Sequence, residues 1–192
     1  LAMSYEIGDA ERLLATLEFA VRLPPAERTL LARADSLSRE AGRLWEAGLF
    51  TEGEELLERE LAIRRSVLGP DHAEVATAIN NLAAMKAQQG DLEGAETLYQ
   101  ESLDLKRNAL GQDHPEVALT VNNAASLRYS QGDYAGAEAL LRDEPDALAN
   151  AANFVALLYN ALDDVNWLGI YVLRGDELVA RANQNDAARH EH

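Results

Sequence analysis

Gly69-Pro70-Asp71-His72 returns as Gly111-Gln112-Asp113-His114, Asn80-Asn81 returns as Asn122-Asn123, and Gly90-Asp91 returns as Gly132-Asp133. Each echo comes 42 residues after its original. A fixed period of that size marks supersecondary units stacked in an array. It is long enough for two helices and two turns. Such an array presents a surface and builds no obvious reaction centre, which turns the functional expectation toward binding.

The apolar spacing around this block predicts the helices. Leu13, Leu14, Leu17, Phe19, Ala20 and Leu23 follow Asp9 at helical intervals, stopped by Pro24-Pro25. Helices are then expected over about 26–47, 52–68, 74–89, 92–109 and 116–131, with a further one starting near Asp133. Gly48, Gly69, Gly90 and Gly132 stand where these segments end, as left-handed stops require. Asp71 precedes Glu74 by three residues and Asp113 precedes Glu116 likewise, so each pair is expected to form a capping box. Pro115 fits the first turn, where amides have no helical partner. His72 and His114 read as residues that pack the corner. Ala83, Ala95, Ala125 and Ala137 fall where helices should cross closely.

Composition narrows the function classes. The 192 residues are 47% hydrophobic and 6% aromatic, and rich in alanine, leucine and glutamate. No run of about 18 apolar residues is present. Leu1-Ala2-Met3-Ser4 shows no basic region before an apolar core, so no secretory signal is expected and the cytoplasm is the default location. A net charge of −16 argues against nucleic acid, whose phosphates need a lysine- and arginine-rich surface. It suits a basic protein partner, with association that weakens as salt rises. Cysteine is absent, which excludes disulfides, thiolate metal sites and thiol nucleophiles.

Asn80-Asn81-Leu82-Ala83, Gln89-Gly90-Asp91-Leu92, Ala95-Glu96, Leu98-Tyr99 and Leu110-Gly111-Gln112-Asp113-His114-Pro115 resemble tetratricopeptide repeats of the kinesin-light-chain type. The resemblance covers about 28–142. An earlier copy is degenerate, with Arg39 in place of an Asn and Gly53 in place of an Ala. It implies a mainly α fold, a short α-solenoid of helix-turn-helix repeats over 26–142, preceded by an N-terminal helix over 1–25. It also implies that the first helix of each pair lines a concave groove. By register Thr77, Asn80, Ala84 and Gln88 then face the groove in one repeat, and Leu119, Asn122, Ser126, Tyr129 and Ser130 in the next. Asparagine carries a donor and an acceptor, so it can clamp the backbone of an extended peptide. The alternative is that the asparagines bond between neighbouring helices.

The pattern breaks after Arg142, where Asp143-Glu144-Pro145-Asp146 should end the last helix. An apolar helix is expected over 148–162, then a strand over 165–173, a turn at Arg174-Gly175-Asp176 and a return strand at Leu178-Val179-Ala180. Arg174-Gly175-Asp176 also matches an adhesion tripeptide, but the turn is the better reading. Ala152-Asn153, Ala156-Leu157-Leu158-Tyr159, Asp164-Val165-Asn166-Trp167, Gly169-Ile170-Tyr171 and Gly175-Asp176-Glu177-Leu178-Val179 resemble the opening of a GAF domain. The nearest subgroup is the free methionine-(R)-sulfoxide reductases, matched over about 139–179. That chemistry needs cysteine thiols, and none is present. Residues 143–181 are therefore expected to act as a cap of helix plus β-hairpin. Residues 182–192 are expected to form a disordered tail.

No other constellation points to catalysis. His190 and His192 flank Glu191 in that tail without a metal-site pattern. The glycines are isolated at helix ends, with no phosphate-binding loop. The expected function is a non-catalytic protein–protein interaction module without cofactor or metal, binding a peptide segment in the groove. Self-association through the hairpin would suit its unpaired edges. The alternatives are an acidic, antitoxin-like neutraliser of a basic protein and, remotely, a degenerate sulfoxide reductase.

Overall fold

The computed structural model describes residues 22–142 and the strand residues 170–174 and 177–181. Among the described residues six helices run in sequence: α1 Pro25–Glu46, α2 Phe50–Leu68, α3 Ala73–Gln88, α4 Leu92–Leu110, α5 Pro115–Ser130 and α6 Tyr134–Arg142. Each packs on the next, so the chain builds three helix pairs, and α3 also meets α5. Both ends of the predicted helices fall within two residues of those observed for α1–α5. The expected helices over 1–25 and 148–162 lie outside the described residues, apart from the helical Arg22.

Glycine punctuates the array. Gly48, Gly69, Gly90, Gly111 and Gly132 stand 21 residues apart, and all have positive φ, between 72° and 89°. The demand is strictest at the turns between repeats. Gly69 and Gly111 combine φ of 87° and 89° with ψ of 158° and 157°, a region open essentially to glycine alone. Each of these turns sends the chain from the second helix of one pair to the first helix of the next.

The capping expectation is corrected. His72 and His114 are the N-caps of α3 and α5, and each Nδ1 accepts from the amide of Glu74 or Glu116 at 3.2 Å. Helices α3 and α5 begin at Ala73 and Pro115, which leaves Asp71 and Asp113 one residue too early to cap. An accepting Nδ1 carries no proton, so the ring proton sits on Nε2. The aspartates that do cap are Asp91 and Asp133, whose Oδ1 atoms accept from Gly94 at 3.0 Å and Gly136 at 2.9 Å.

The core lies between the pairs. Ala41, Leu57, Leu61, Val75, Ala78, Ile79, Leu82 and Met85 form one cluster, with Ala83, Ala95, Tyr99, Ala124 and Leu127 in a second. Leu103, Val117 and Val121 form a third. The four crossing alanines, Ala83, Ala95, Ala125 and Ala137, are all buried. A Cβ at Gly53 in the degenerate copy would meet Met85 Cε at 2.5 Å and Sδ at 3.1 Å, so the flexible end of Met85 would have to move aside. At the next joint a shorter Leu127 shares its cluster with Ala95, so alanine fits.

Strands β1 Ile170–Arg174 and β2 Glu177–Arg181 pair antiparallel, with Arg174 opposite Glu177 and Ile170 opposite Arg181.

Candidate functional site

The three first helices α1, α3 and α5 surround a cavity of about 370 Å³. Ser38, Ala41, Gly42 and Trp45 reach it from α1; Asn80, Asn81, Ala84 and Met85 from α3; Leu119 and Asn123 from α5. Only Leu57, at its floor, comes from a second helix. Trp45 and Leu119 are among the few large apolar side chains left exposed, at 38% and 53%. Trp45 is held edge-on against Phe50, ring centres 5.5 Å apart. Burial of apolar surface is the largest gain available to a ligand here, and Trp45 offers a rigid aromatic wall for it.

A second cavity of about 620 Å³ shares Ser38 and Asn81 with the first and extends along the same side of the array. Its walls carry Arg28, Arg64 and four carboxylates, Asp35, Glu60, Glu74 and Glu116, each carboxylate engaged by a group of the chain itself. Arg64 Nε bonds Glu60 Oε1 at 2.8 Å and its Nη2 bonds Asp35 Oδ1 at 2.7 Å, while Nη1 engages Glu74. Burial pulls the Arg64 guanidinium's pKa down, yet hydrogen bonding and charge from Glu60, with Asp35 and Glu74, outweigh it and hold it above the ordinary arginine value. Lys106 Nζ lies 3.3 Å from Glu116 Oε2, and Thr77 Oγ1 lies 3.0 Å from the same oxygen.

Of the groove positions expected from register, Asn80, Ala84 and Leu119 line the smaller cavity, and Thr77 lines the larger. Asn80 is only 5% exposed; its Oδ1 accepts from Asn123 Nδ2 at 3.1 Å, joining α3 to α5. Asn122 is equally buried. Ser126 donates to Asn122 O at 2.7 Å, and Tyr129 meets Tyr134 edge-on at 4.9 Å. Gln88 and Ser130 are exposed at the helix ends, away from both cavities. Asn81 and Asn123, rather than Asn80 and Asn122, are the half-exposed members of each pair.

Sequence reading passed over the α1 wall and the ion pairs that fix the helices. The pairs obey the same period. Arg64 with Glu74 becomes Lys106 with Glu116, and Glu54 with Lys86 becomes Glu96 with Arg128. Each joint between repeats is thus clamped at both ends. The 42-residue spacing of these charged partners was the available signal. On the opposite side, a crevice of about 710 Å³ runs between α2 and α4, and the Arg65–Glu101 pair crosses it at 2.7 Å. It has no aromatic in its lining, and besides that pair it carries the carboxylates of Glu58, Asp91 and Glu93.

Among the described residues no cluster of His, Asp or Glu is arranged to hold a metal ion, and no helix is long and apolar enough to cross a membrane. A search of the curated proteins finds no match. The family model for the tetratricopeptide repeat matches residues 32–108 and again 74–144. Together the two matches span more than half of the 192 residues, and they cover all six described helices except the start of α1. The chain belongs to the tetratricopeptide repeat family.

Proposed function

We propose that the chain is a non-catalytic interaction module that holds an extended segment of a partner protein along α1, α3 and α5, with a bulky apolar side chain seated between Trp45 and Leu119. The observation that carries this reading is the 370 Å³ cavity with those two exposed side chains in its wall. Membership of a family that is typically non-catalytic supports the binding class. Ser38, Asn81 and Asn123 stand at the cavity with hydroxyl and carboxamide groups suited to a peptide backbone. Gly42 and Ala84, opposite each other in register, keep the floor between them open. Thr77, Asn80, Gln88, Asn122, Ser126 and Tyr129 then support the groove more than they clasp its occupant.

Charge plays a long-range part. The net charge of −16 steers cationic partners. Asp35, Glu74 and Glu116 are already engaged by Arg64, Lys106 and Thr77, so affinity rests on the apolar anchor. Panning a random peptide library tests this. Peptides enriched on the native chain should be lost on Trp45→Ala/Leu119→Ala. Equal enrichment on both rejects the reading.

The acidic composition also favours a second reading, a neutraliser of a basic protein that uses charge over the whole surface. Binding that falls steeply with salt yet ignores the Trp45 and Leu119 changes would support that one instead. Self-association through the β1–β2 edges belongs with these proposals, and so does cytoplasmic residence. A reductase descended from the GAF resemblance has no thiol to act with.

A further inference from the structure

One carboxylate in the wall of the 620 Å³ cavity is only half satisfied. Glu60 lines that cavity from α2 with 2% of its side chain exposed. Its Oε1 accepts from Arg64 Nε at 2.8 Å, while its Oε2 has no hydrogen-bond partner among the described residues. A buried carboxylate normally fills its acceptor positions, because an unpaired one gives up hydration without replacement. In so dry a wall its charge is poorly screened and acts on whatever enters the cavity.

The charges around it fall short in the same sense. A single guanidinium, that of Arg64, serves the three carboxylates of Asp35, Glu60 and Glu74. Lys106 serves Glu116. Arg28, exposed on α1, is the other cation of the lining. Four carboxylates thus face three cations, and the wall lacks one positive charge. Asp35, Glu74 and Glu116 are 53%, 44% and 46% exposed, so each keeps acceptor positions open to a further donor.

This cavity adjoins the one that holds Trp45 and Leu119, since both are lined by Ser38 and Asn81. Thr77 in the larger and Ala84 in the smaller stand seven residues apart on α3. That separation is about 10 Å along the helix axis, which an extended chain covers in about three residues.

We infer that the larger cavity is a cation subsite of the same groove, taking a lysine or arginine side chain that lies within about three residues of the apolar anchor on the bound segment. The cation pairs with Asp35, Glu74 and Glu116, and Glu60 adds its uncompensated charge from the wall. The inference rests on the groove reading above and gives its partner a chemistry. The apolar anchor supplies most of the affinity, and the cation selects the sequence beside it.

Peptides selected from a random dodecamer library on the native chain should carry lysine or arginine within that distance of a bulky apolar residue. Replacing this residue by norleucine in a labelled peptide should raise Kd about fivefold against the native chain, the scale of a partly exposed ion pair. Against Glu74→Gln/Glu116→Gln the same replacement should change Kd less than about twofold, since the pair is already broken. If that variant does not fold, Asp35→Asn takes its place and should also reduce the norleucine effect. Glu58→Gln/Glu93→Gln removes as much charge at the opposite crevice and should leave the fivefold effect intact. Selected peptides without a neighbouring cation would overturn the inference, and so would a norleucine effect equal in all these proteins. Loss of binding to Trp45→Ala/Leu119→Ala without any norleucine effect rejects the cation subsite alone. A norleucine effect that follows Glu74 and Glu116 while binding ignores Trp45 and Leu119 supports the subsite and rejects the apolar anchor.

Discussion

Lys106 carries its ammonium into the joint between α4 and α5 with 1% of its side chain exposed. Burial lowers its pKa, and the charge and hydrogen bond of Glu116 offset this only in part. A lysine with a lowered folded pKa leaves the folded state with fewer protons than the unfolded state, between that value and the ordinary lysine pKa of about 10.4. Its contribution to stability is therefore unfavourable while it is charged, and it improves as pH rises through that alkaline window. Tyr99 acts the other way, since burial pushes its phenol up to about 12 and stability falls above the ordinary tyrosine value. Lys106→Met separates the two. Thermal melts should show a variant neutral or more stable by about 1–2 kcal/mol at pH 7, because Glu116 remains half-exposed and hydrated. The difference between variant and native should shrink as pH rises through the window. Asn80→Ala should do the opposite and cost about 0.5–1.5 kcal/mol in a denaturant titration, because it removes the bond from Asn123 across α3 and α5 while half-exposed Asn123 can turn to water. The sequence pointed to these asparagines as a pair but not to which member is buried. That depends on how α3 is rotated against α5, and periodicity leaves a one-residue rotation open. The N-caps were missed for a related reason. Asp71 fits a capping box on spacing alone, and only the observed start of α3 at Ala73 hands the position to His72.

At the scale of elements, the legible features were those with strong local causes. Glycines at Gly48, Gly69, Gly90 and Gly132 stop helices by backbone geometry, so helix ends were read within two residues. Small residues at Ala83 and Ala95 announced a close crossing, and both are fully buried. Ala95→Leu should overpack that crossing and cost about 1–3 kcal/mol, measured as a lower denaturation midpoint with unchanged slope. Gly111→Ala should cost a similar amount, about 1–3 kcal/mol, because alanine is strained at its φ of 89° and ψ of 157°. A melt as stable as the native chain would show that the turn can relax. The α1 wall of the cavity was not legible. Its copy is degenerate, with Arg39 and Gly53 out of pattern, and Trp45 falls where later copies carry Ala87 and Tyr129. A position that varies between copies escapes a search for repetition, yet that variation gives the cavity its aromatic side chain.

Across the whole molecule, the repeats divide their work by side. The second helices α2 and α4 anchor ion pairs and core, while the first helices α1, α3 and α5 turn their less committed faces to the cavity. Net charge of −16 should speed association with cationic partners and make it salt-sensitive, whereas the apolar anchor should keep residual binding at high salt. The most direct test is the dissociation constant of a library-selected, fluorescently labelled peptide, measured by anisotropy against three proteins of matched thermal stability. These are the native chain, Trp45→Ala/Leu119→Ala on the first-helix side, and Arg65→Ala/Thr97→Ala at the opposite crevice. The proposed site requires Kd to rise at least about tenfold for the first variant, a loss of about 1.4 kcal/mol, and to stay within twofold for the second. An unchanged Kd for Trp45→Ala/Leu119→Ala, or a loss confined to the opposite crevice, would contradict it.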